Sequence, residues 1–204
     1  MKILLACEES QAVTKEFRAL GHEAYSCDIL PTSGDNPEWH IQGDVLSHLS
    51  DGWDMIIGFP PCTYMTNGGA VRMYPKKGQI DPIRYEKGIE AKSFFMAIYN
   101  APAKHIAIEN PLPMKIIGLP EKTQVIQPYE YGDPYSKKTC LWLKNLPNLM
   151  PTNVLTEYQP FINGGGGRMN RNNYQGKTFA AGSVARSKTF PGIAKAMATQ
   201  WGNQ

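Results

Sequence analysis

Residues 55–62 read MIIGFPPC, a short apolar run that ends in two prolines and a cysteine. Nearly continuous apolar runs of this length are typical of central strands in a parallel sheet, because helices cover both faces of such a sheet. The two prolines restrict the backbone that presents Cys62. This stretch therefore predicts a buried strand with a thiol held at its carboxyl end.

Similar apolar runs recur on both sides of this stretch. The further predicted strands span residues 2–6 (KILLA), 23–27, 105–108 (HIAI), 125–127 and 139–143. The predicted helices span residues 11–20, 85–99 and 193–201. In the first helix Val13, Phe17 and Leu20 share one face, and Gly21 follows as a typical helix-ending residue. Alternating strands and helices predict an α/β fold with a mostly parallel sheet flanked by helices.

Length and composition indicate one globular domain. The chain has 204 residues, of which 42% are hydrophobic, enough to form a sizeable core. Its first apolar run is shorter than a secretion signal, and no stretch approaches the roughly 18 apolar residues of a membrane span. The four cysteines occur singly without a CxxC pair, so no zinc or other metal site is predicted. We expect a cytoplasmic protein with no membrane partner.

Two long stretches, 63–81 and 147–187, match neither a helix nor a strand pattern, and loops of this length are often functional. The second contains GGGG at 164–167, which as an alternative is simply a flexible linker. Residues 161–204 contain no Asp or Glu but six basic residues: Arg168, Arg171, Lys177, Arg186, Lys188 and Lys195. This basic end predicts a surface for a polyanion, and the alternative is a solvated charged face.

Ligands of open parallel sheets bind beyond the carboxyl ends of the strands. Asp28 follows the second predicted strand and Asp44 lies in the next loop. A carboxylate at the first position can accept both ribose hydroxyls, and one at the second can accept from an adenine amino group. The chain has no GxGxxG and no GxxxxGK[ST], which disfavours a dinucleotide site or a phosphate-binding loop. The acids therefore predict a nucleoside-bearing cofactor, although each alone is more often a solvated loop residue.

Cys62 and Glu109 carry the predicted chemistry. A thiol at a strand end can become a nucleophile where a helix N-terminus or a cation lowers its pKa. Glu109 ends the apolar run at 105–108, and partial desolvation there would raise its pKa and let it donate a proton. Together, a thiol and a protonated carboxyl could attack an aromatic heterocycle and protonate its ring nitrogen.

These motifs, in this order, resemble those of the C5-cytosine DNA methyltransferases, specifically short phage-type members without a large target-recognition domain. WDMIIGFPPC resembles the nucleophile motif, and AIENP resembles the Glu-Asn-Val motif. YSCD and GDVL resemble the ribose-holding and adenine-contacting segments. YGDPYSKKTCLWL is similar to the segment with a Gln-x-Arg-x-Arg pattern, and QWGN is similar to the closing Gln-Phe-Gly-Asn.

The resemblance implies a single Rossmann-like class I methyltransferase domain over 1–204, with 147–187 an inserted loop region in place of a target-recognition domain. It implies S-adenosylmethionine as the methyl donor and DNA as the partner. Cys62 would add to C6 of a flipped cytosine while Glu109 holds N3 and the amino group. The 63–81 loop would close over the base, with Arg72, Lys76 and Lys77 near phosphates. The cofactor contacts it implies include Asp28, Asp44, Phe59, Pro60 and Asn203.

The chain departs from the family at two motifs. ACEESQAV stands where the family has a Phe-x-Gly-x-Gly turn, so the methionine end of the cofactor would be held differently, by Glu8, Glu9 or Ser10. The Gln-x-Arg-x-Arg pattern is replaced by Tyr135-x-Lys137-x-Thr139, which leaves Lys137 as the nearest substitute cation.

Other functions stay open at this stage. One is a non-catalytic binder that keeps the cofactor fold and binds nucleic acid through its basic end. Another keeps the chemistry but directs it to RNA or a free nucleotide. FPPC is also similar to the Asp-Pro-Pro-Tyr loop of amino-group methyltransferases, but Phe59 cannot accept a hydrogen bond from an amine. With so short a recognition segment, base specificity is expected to be short, relaxed or supplied by a partner.

Overall fold

The computed structural model describes residues 1–161 and 188–204. Its strands in this part of the chain are β1 (Lys2–Ala6), β2 (Glu23–Asp28), β3 (His40–Gln42), β4 (Met55–Gly58), β5 (His105–Pro111), β6 (Gln124–Ile126), β7 (Tyr135–Ser136), β8 (Thr139–Lys144) and β9 (Gln159–Pro160). Seven of them form one sheet in the order β3-β2-β1-β4-β5-β8-β6, and β7 pairs with β9. Within the large sheet β8 runs antiparallel to both of its neighbours and the other pairings are parallel.

The described helices are α1 (Ala12–Ala19), α2 (Ala70–Met73), α3 (Pro82–Tyr99) and α4 (Pro191–Trp201). Helices α1 and α4 pack together on one face of the sheet, where Ile3 and Leu5 of β1 point. Helix α3 covers the opposite face, where Leu4 and Ala6 of the same strand point. Because successive side chains of a strand alternate between faces, an unbroken apolar run can enter both cores. The predicted α/β fold with a mostly parallel sheet flanked by helices is confirmed.

Most predicted elements lie within a few residues of their expected bounds, and α1 buries only part of its predicted apolar face. Val13 and Phe17 of α1 are buried, whereas Leu20 is 50% exposed. Leu20 is the C-cap of the helix, with φ −92° and ψ 8°, so its side chain leaves the apolar face. Thr14 is buried instead, and its hydroxyl donates a hydrogen bond to Glu8.

The segment 63–81, unassigned from the sequence, packs onto the domain. It contains a 3-10 turn (Asn67–Gly69) and α2, and its side chains Met65 and Met73 are fully buried. Thr66 forms a β-bridge with Pro113, beyond the end of β5. Arg84 of α3 donates to the carbonyl oxygen of Thr63 at 2.8 Å. These contacts fix the segment beside the carboxyl end of the sheet.

The strand order reverses direction at β1. From β1 the chain proceeds through α1 to β2 on one side, while β4, α3 and β5 build the sheet on the other side. Ligands of open α/β sheets bind at such a switch point, beyond the carboxyl ends of the strands. Within the described ranges no helix has the length and apolar character needed to span a membrane.

Candidate active site

A cavity of about 650 Å³ opens at the switch point, within the size range of small-molecule sites. The loops that follow β1 to β5 line it, together with residues preceding β8 and α4. The residues predicted from the sequence that the structure brings to its walls are Glu8, Glu9, Ser10, Asp28, Asp44, Phe59, Pro60, Cys62, Glu109 and Lys137. Their common position follows from strand polarity, since parallel strands present their carboxyl ends at one edge.

The loop between β1 and α1 has an unusual backbone. Cys7 and Gln11 have φ values of 62° and 57°, in the left-handed region that residues other than glycine seldom adopt. The amides of Cys7 and Glu8 both donate to the carbonyl oxygen of Cys27, at 2.7 and 3.2 Å. The Gln11 side chain pairs with the backbone of Asn36 through two hydrogen bonds. These contacts hold the loop in a strained conformation of the kind often found at functional sites.

The carboxylate of Glu8 caps α1. It accepts hydrogen bonds from the Val13 amide at 2.6 Å, the Thr14 amide at 3.2 Å and the Thr14 hydroxyl at 2.6 Å. Only 4% of the residue is exposed. Burial raises the pKa of Glu8, and the three hydrogen bonds oppose this effect without cancelling it. The first amides of α1, which in many proteins bind an anion, are therefore occupied by the chain itself.

Asp28 and Asp44 form one polar end of the cavity. One oxygen of Asp28 accepts from the Leu30 amide at 2.9 Å, and one oxygen of Asp44 accepts from the Leu46 amide at 3.0 Å. The second oxygen of each carboxylate has no donor among the described residues. The apolar side chains of Ile29, Leu30, Val45 and Phe59 line the same region. Carboxylates beside an apolar wall suit a planar base with hydroxyl and amino donors.

The loop that carries Cys62 is held from two sides. The carbonyl oxygen of Cys62 accepts hydrogen bonds from the amides of Met65 and Thr66, both at 3.2 Å, and from the Thr66 hydroxyl at 3.1 Å. Asn110, which is 1% exposed, donates from Nδ2 to the carbonyl oxygen of Pro60 at 3.0 Å. Cys62 itself is half-buried and lines the cavity. The thiol is therefore presented by a fixed backbone.

Glu109 lines the cavity from β5. Its carboxyl group has no hydrogen-bond donor within residues 1–161 and 188–204, and burial raises its pKa, an effect that the nearby charge of Lys137 opposes. Because β8 is antiparallel to β5, the residues before β8 reach the carboxyl edge of the sheet, which brings Lys137 beside Glu109. The Lys137 ammonium also lies 5.8 and 5.7 Å from the ring centroids of Phe161 and Phe190. A thiol, a protonatable acid and a cation thus face one cavity.

Two polar residues, Asn110 and Lys188, have contacts at this site that the sequence did not predict. Asn110 was part of a quoted motif, but its bond to Pro60 was not foreseen. Lys188 was counted only in the basic end, yet it lines the cavity, with Nζ 3.0 Å from Ser33 Oγ and 3.9 Å from Glu9 Oε1. Pro191 marks the start of α4 in the sequence, but the contact between Lys188 and Ser33 depends on how distant segments pack.

Other predicted residues lie away from the cavity or outside the described part of the chain. Asn203 is exposed beyond the C-terminal end of α4, whereas the opposite end of that helix approaches the cavity. Arg72, Lys76 and Lys77 are exposed on the 63–81 segment and do not line the walls. Arg168, Arg171, Lys177, Arg186 and the glycines at 164–167 lie outside the described residues.

No protein-family model matches the chain. No curated protein matches it either. One similar solved structure is a provisionally assigned DNA modification methyltransferase encoded within a prophage (E. coli), with 15% sequence identity and a TM-score of 0.46. The match covers 74% of this chain and 51% of the methyltransferase chain, so the present chain spans about half the length of that methyltransferase. The function of the chain is therefore argued from the side chains that line the cavity.

Proposed function

We propose that the protein is an S-adenosylmethionine-dependent methyltransferase that acts at C5 of cytosine in DNA. The observation that carries the proposal is that Cys62 and Glu109 line one cavity, whose other walls include Asp28 and Asp44. A nucleophile and an acid suited to a pyrimidine thus lie beside carboxylates suited to a nucleoside. The cavity therefore offers one region for a pyrimidine and another for a nucleoside cofactor, as the transfer of a group from the cofactor to the pyrimidine requires.

The residues present fit the nucleoside half of the cofactor. The second oxygen of Asp28 would accept from the ribose hydroxyls, and that of Asp44 from the adenine amino group. Ile29, Val45 and Phe59 would cover the faces of the base, while Pro60 closes the wall toward Cys62. When bound, S-adenosylmethionine supplies an electrophilic methyl group. Asn203 has no part in this arrangement, because it is exposed beyond the far end of α4.

In the pyrimidine region the thiolate of Cys62 would form a bond to C6 of cytosine. As this bond forms, the π electrons of the C5–C6 double bond would shift to make a C4–C5 double bond and those of C4–N3 would move onto N3. Glu109, whose pKa burial raises, would donate a proton to N3. C5 would then be nucleophilic and would take the methyl group as the bond between that methyl and the donor sulfonium breaks, which leaves a neutral thioether. Transfer of the C5 proton to solvent would restore the C5–C6 double bond as the bond between sulfur and C6 breaks, and Glu109 would recover its proton from N3. The thiolate is regenerated and 5-methylcytosine is released.

Lys137 would supply the positive charge that the family places on an arginine. It lies close enough to Glu109 to affect its pKa, and it lines the same cavity. An ammonium there can donate to the ring oxygen of cytosine and stabilise the negative charge that develops after attack at C6. An ammonium is a point charge without the planar fork of a guanidinium, so it gives less directional control.

DNA is the proposed substrate, and chemistry at C5 and C6 would require the cytosine to be turned out of its stack. Arg72, Lys76 and Lys77 are exposed on the 63–81 segment, which packs beside the loop that carries Cys62. Their charges would bind phosphates on either side of the extruded base. The region 147–187 is the proposed substitute for a recognition domain, and its residues 162–187 lie outside the described part.

Labelled methyl transfer tests this proposal. The purified protein is incubated with tritiated S-adenosylmethionine and duplex DNA, and adducts are trapped on DNA that contains 5-fluorocytosine. We expect label in 5-methylcytosine and a covalent adduct, both lost in Cys62→Ser. Cys140→Ser, at a buried position outside the cavity wall, is the matched control and should retain both.

The alternatives predict different results in the same assay. Label that persists in Cys62→Ser would refute Cys62 as the nucleophile. Salt-dependent DNA binding without any methyl transfer would identify a non-catalytic binder. Competition by RNA or by free nucleotides that exceeds competition by duplex DNA would move the chemistry to those substrates.

A further inference from the structure

One end of the cavity carries a pair of opposite charges that the proposed chemistry does not use. The Lys188 ammonium lies 3.9 Å from a carboxylate oxygen of Glu9, and both residues line the cavity. Lys188 Nζ also donates to the hydroxyl of Ser33 at 3.0 Å, and the second Glu9 oxygen accepts from the Ser33 amide at 3.2 Å. Ser33 thus holds the two charged groups side by side.

This pair contributes little to the stability of the fold. The Lys188 side chain is 42% exposed and the Glu9 side chain is 13% exposed, and an ion pair with one partner this open to solvent has little net effect on stability. The distance of 3.9 Å is longer than a direct charge-assisted hydrogen bond. Both groups therefore keep the capacity to bind other charged groups, and a bound ligand could insert between them at small cost.

Within residues 1–161 and 188–204, the start of α1 offers a ligand carboxylate no open binding site. The amides of Val13 and Thr14, at the start of α1, already donate to Glu8, and the Ala12 amide faces Ser10 Oγ at 3.4 Å. A ligand anion at this helix end would find these amides already bound by the Glu8 side chain. Among the described residues, Lys188 is the cation on the cavity wall nearest to the strained loop, since Lys137 lies beside Glu109.

We propose that Lys188 and Glu9 together bind the zwitterionic amino-acid end of the cofactor. The Lys188 ammonium binds the α-carboxylate and the Glu9 carboxylate binds the α-ammonium, so each charge of the ligand meets its opposite. The inference rests on the proposed function, because it takes S-adenosylmethionine as the ligand. In this arrangement the ligand carboxylate is bound by the side chain of Lys188, just before α4, and not by the amides of a helix N-terminus.

Calorimetric binding without DNA tests this inference, with three compounds as probes. S-adenosylmethionine carries both charged groups, its decarboxylated analogue lacks only the carboxylate, and 5′-methylthioadenosine lacks the whole amino-acid end. The wild-type protein is expected to bind S-adenosylmethionine about tenfold or more tightly than the decarboxylated analogue. Lys188→Met should remove this preference and leave the affinity for 5′-methylthioadenosine unchanged. Lys195→Met, on the exposed face of α4, is the matched control and should keep the preference.

The outcomes separate this inference from the proposed function. Binding of all three compounds with no preference for the carboxylate in the wild-type protein would overturn the role of Lys188 and leave the cofactor assignment standing. An equal loss of affinity for all three in Lys188→Met would also overturn it, since it would indicate a general structural role. Failure of the wild-type protein to bind any of them would overturn both.

Discussion

The Asn110 amide donates to the Pro60 carbonyl oxygen at 3.0 Å, and so ties the strand that carries Glu109 to the loop that carries Cys62. Asn110 is 1% exposed, and its Oδ1 has no hydrogen-bond partner among the described residues. A buried amide with one unsatisfied atom is costly, and here its other atom joins the two halves of the proposed catalytic centre. The relative position of thiol and acid depends on this bond.

Removal of this bond should affect both chemistry and folding. We expect Asn110→Ala to lower the free energy of unfolding by about 1–3 kcal/mol and to slow adduct formation on 5-fluorocytosine DNA by about tenfold or more. Gln124→Ala is the matched control, because Gln124 forms two hydrogen bonds with the Leu149 backbone, both at 2.8 Å, outside the cavity wall. Denaturant unfolding and single-turnover trapping measure the two effects. Equal rates in the two variants would remove the positioning role of Asn110.

The raised pKa of Glu109 predicts a specific pH dependence of stability. Because the folded protein holds this proton to higher pH than the unfolded chain does, wild-type stability falls as pH rises from the unfolded pKa through the folded one. Glu109→Gln carries no such proton, so its stability relative to wild type should rise over this interval and then level off. Denaturant unfolding from about pH 4 to about pH 9 measures this difference.

Glu90→Gln, at an exposed position of α3, is the matched control for the loss of one carboxyl. A difference between wild type and Glu109→Gln that stays constant over the whole pH range would contradict the raised pKa. A difference that falls with rising pH would mean that the fold stabilises the ionised carboxylate.

Glu8 and Glu9 are neighbours with different expected effects on stability. Glu8→Ala leaves the first amides of α1 without their buried acceptor, so we expect the free energy of unfolding to fall by about 2 kcal/mol. Glu9→Ala removes a carboxylate that borders the cavity and should change stability by less than about 0.5 kcal/mol. Thermal and denaturant unfolding of both variants provide the measurement. Similar losses in the two variants would argue against Glu8 as the cap of α1.

The exposed basic residues of the 63–81 segment predict the salt dependence of DNA binding. If Arg72, Lys76 and Lys77 each contact one phosphate, neutralising all three should reduce the slope of log K against log salt by about 0.9 for each contact. Lys104→Gln, next to the amino end of β5, is the control at the opposite edge of the sheet. Fluorescence anisotropy over a salt series measures the slope. An unchanged slope in the triple variant would place the DNA on another surface.

Most of the fold could be predicted because its signals are local. The runs at 2–6, 55–58 and 105–108 are apolar on both strand faces, and each is a central strand of the sheet. β3 was missed because His40–Gln42 is short and carries two polar side chains. α2 was missed because its single turn is held by the burial of Met73 and by neighbouring segments, and not by helical periodicity.

The composition of the site was partly predictable for a topological reason. Side chains that follow parallel strands meet at one edge, so Asp28, Cys62 and Glu109 could be expected to share a cavity. Asn203 was expected there from a motif alone, and the structure leaves it exposed beyond α4. Lys188 was not expected there, because its partner Ser33 is 155 residues away in the chain.

The amino-acid sequence by itself determined most of the strand and helix segments and which side chains follow those strands, because hydrophobic periodicity is a local property of a chain. Only the tertiary structure decided that Glu8 turns inward to cap α1 while Glu9 faces Lys188. It also decided that β8 runs antiparallel and so brings Lys137 beside Glu109. These relationships depend on how distant segments pack against one another, and packing is a property of the whole fold.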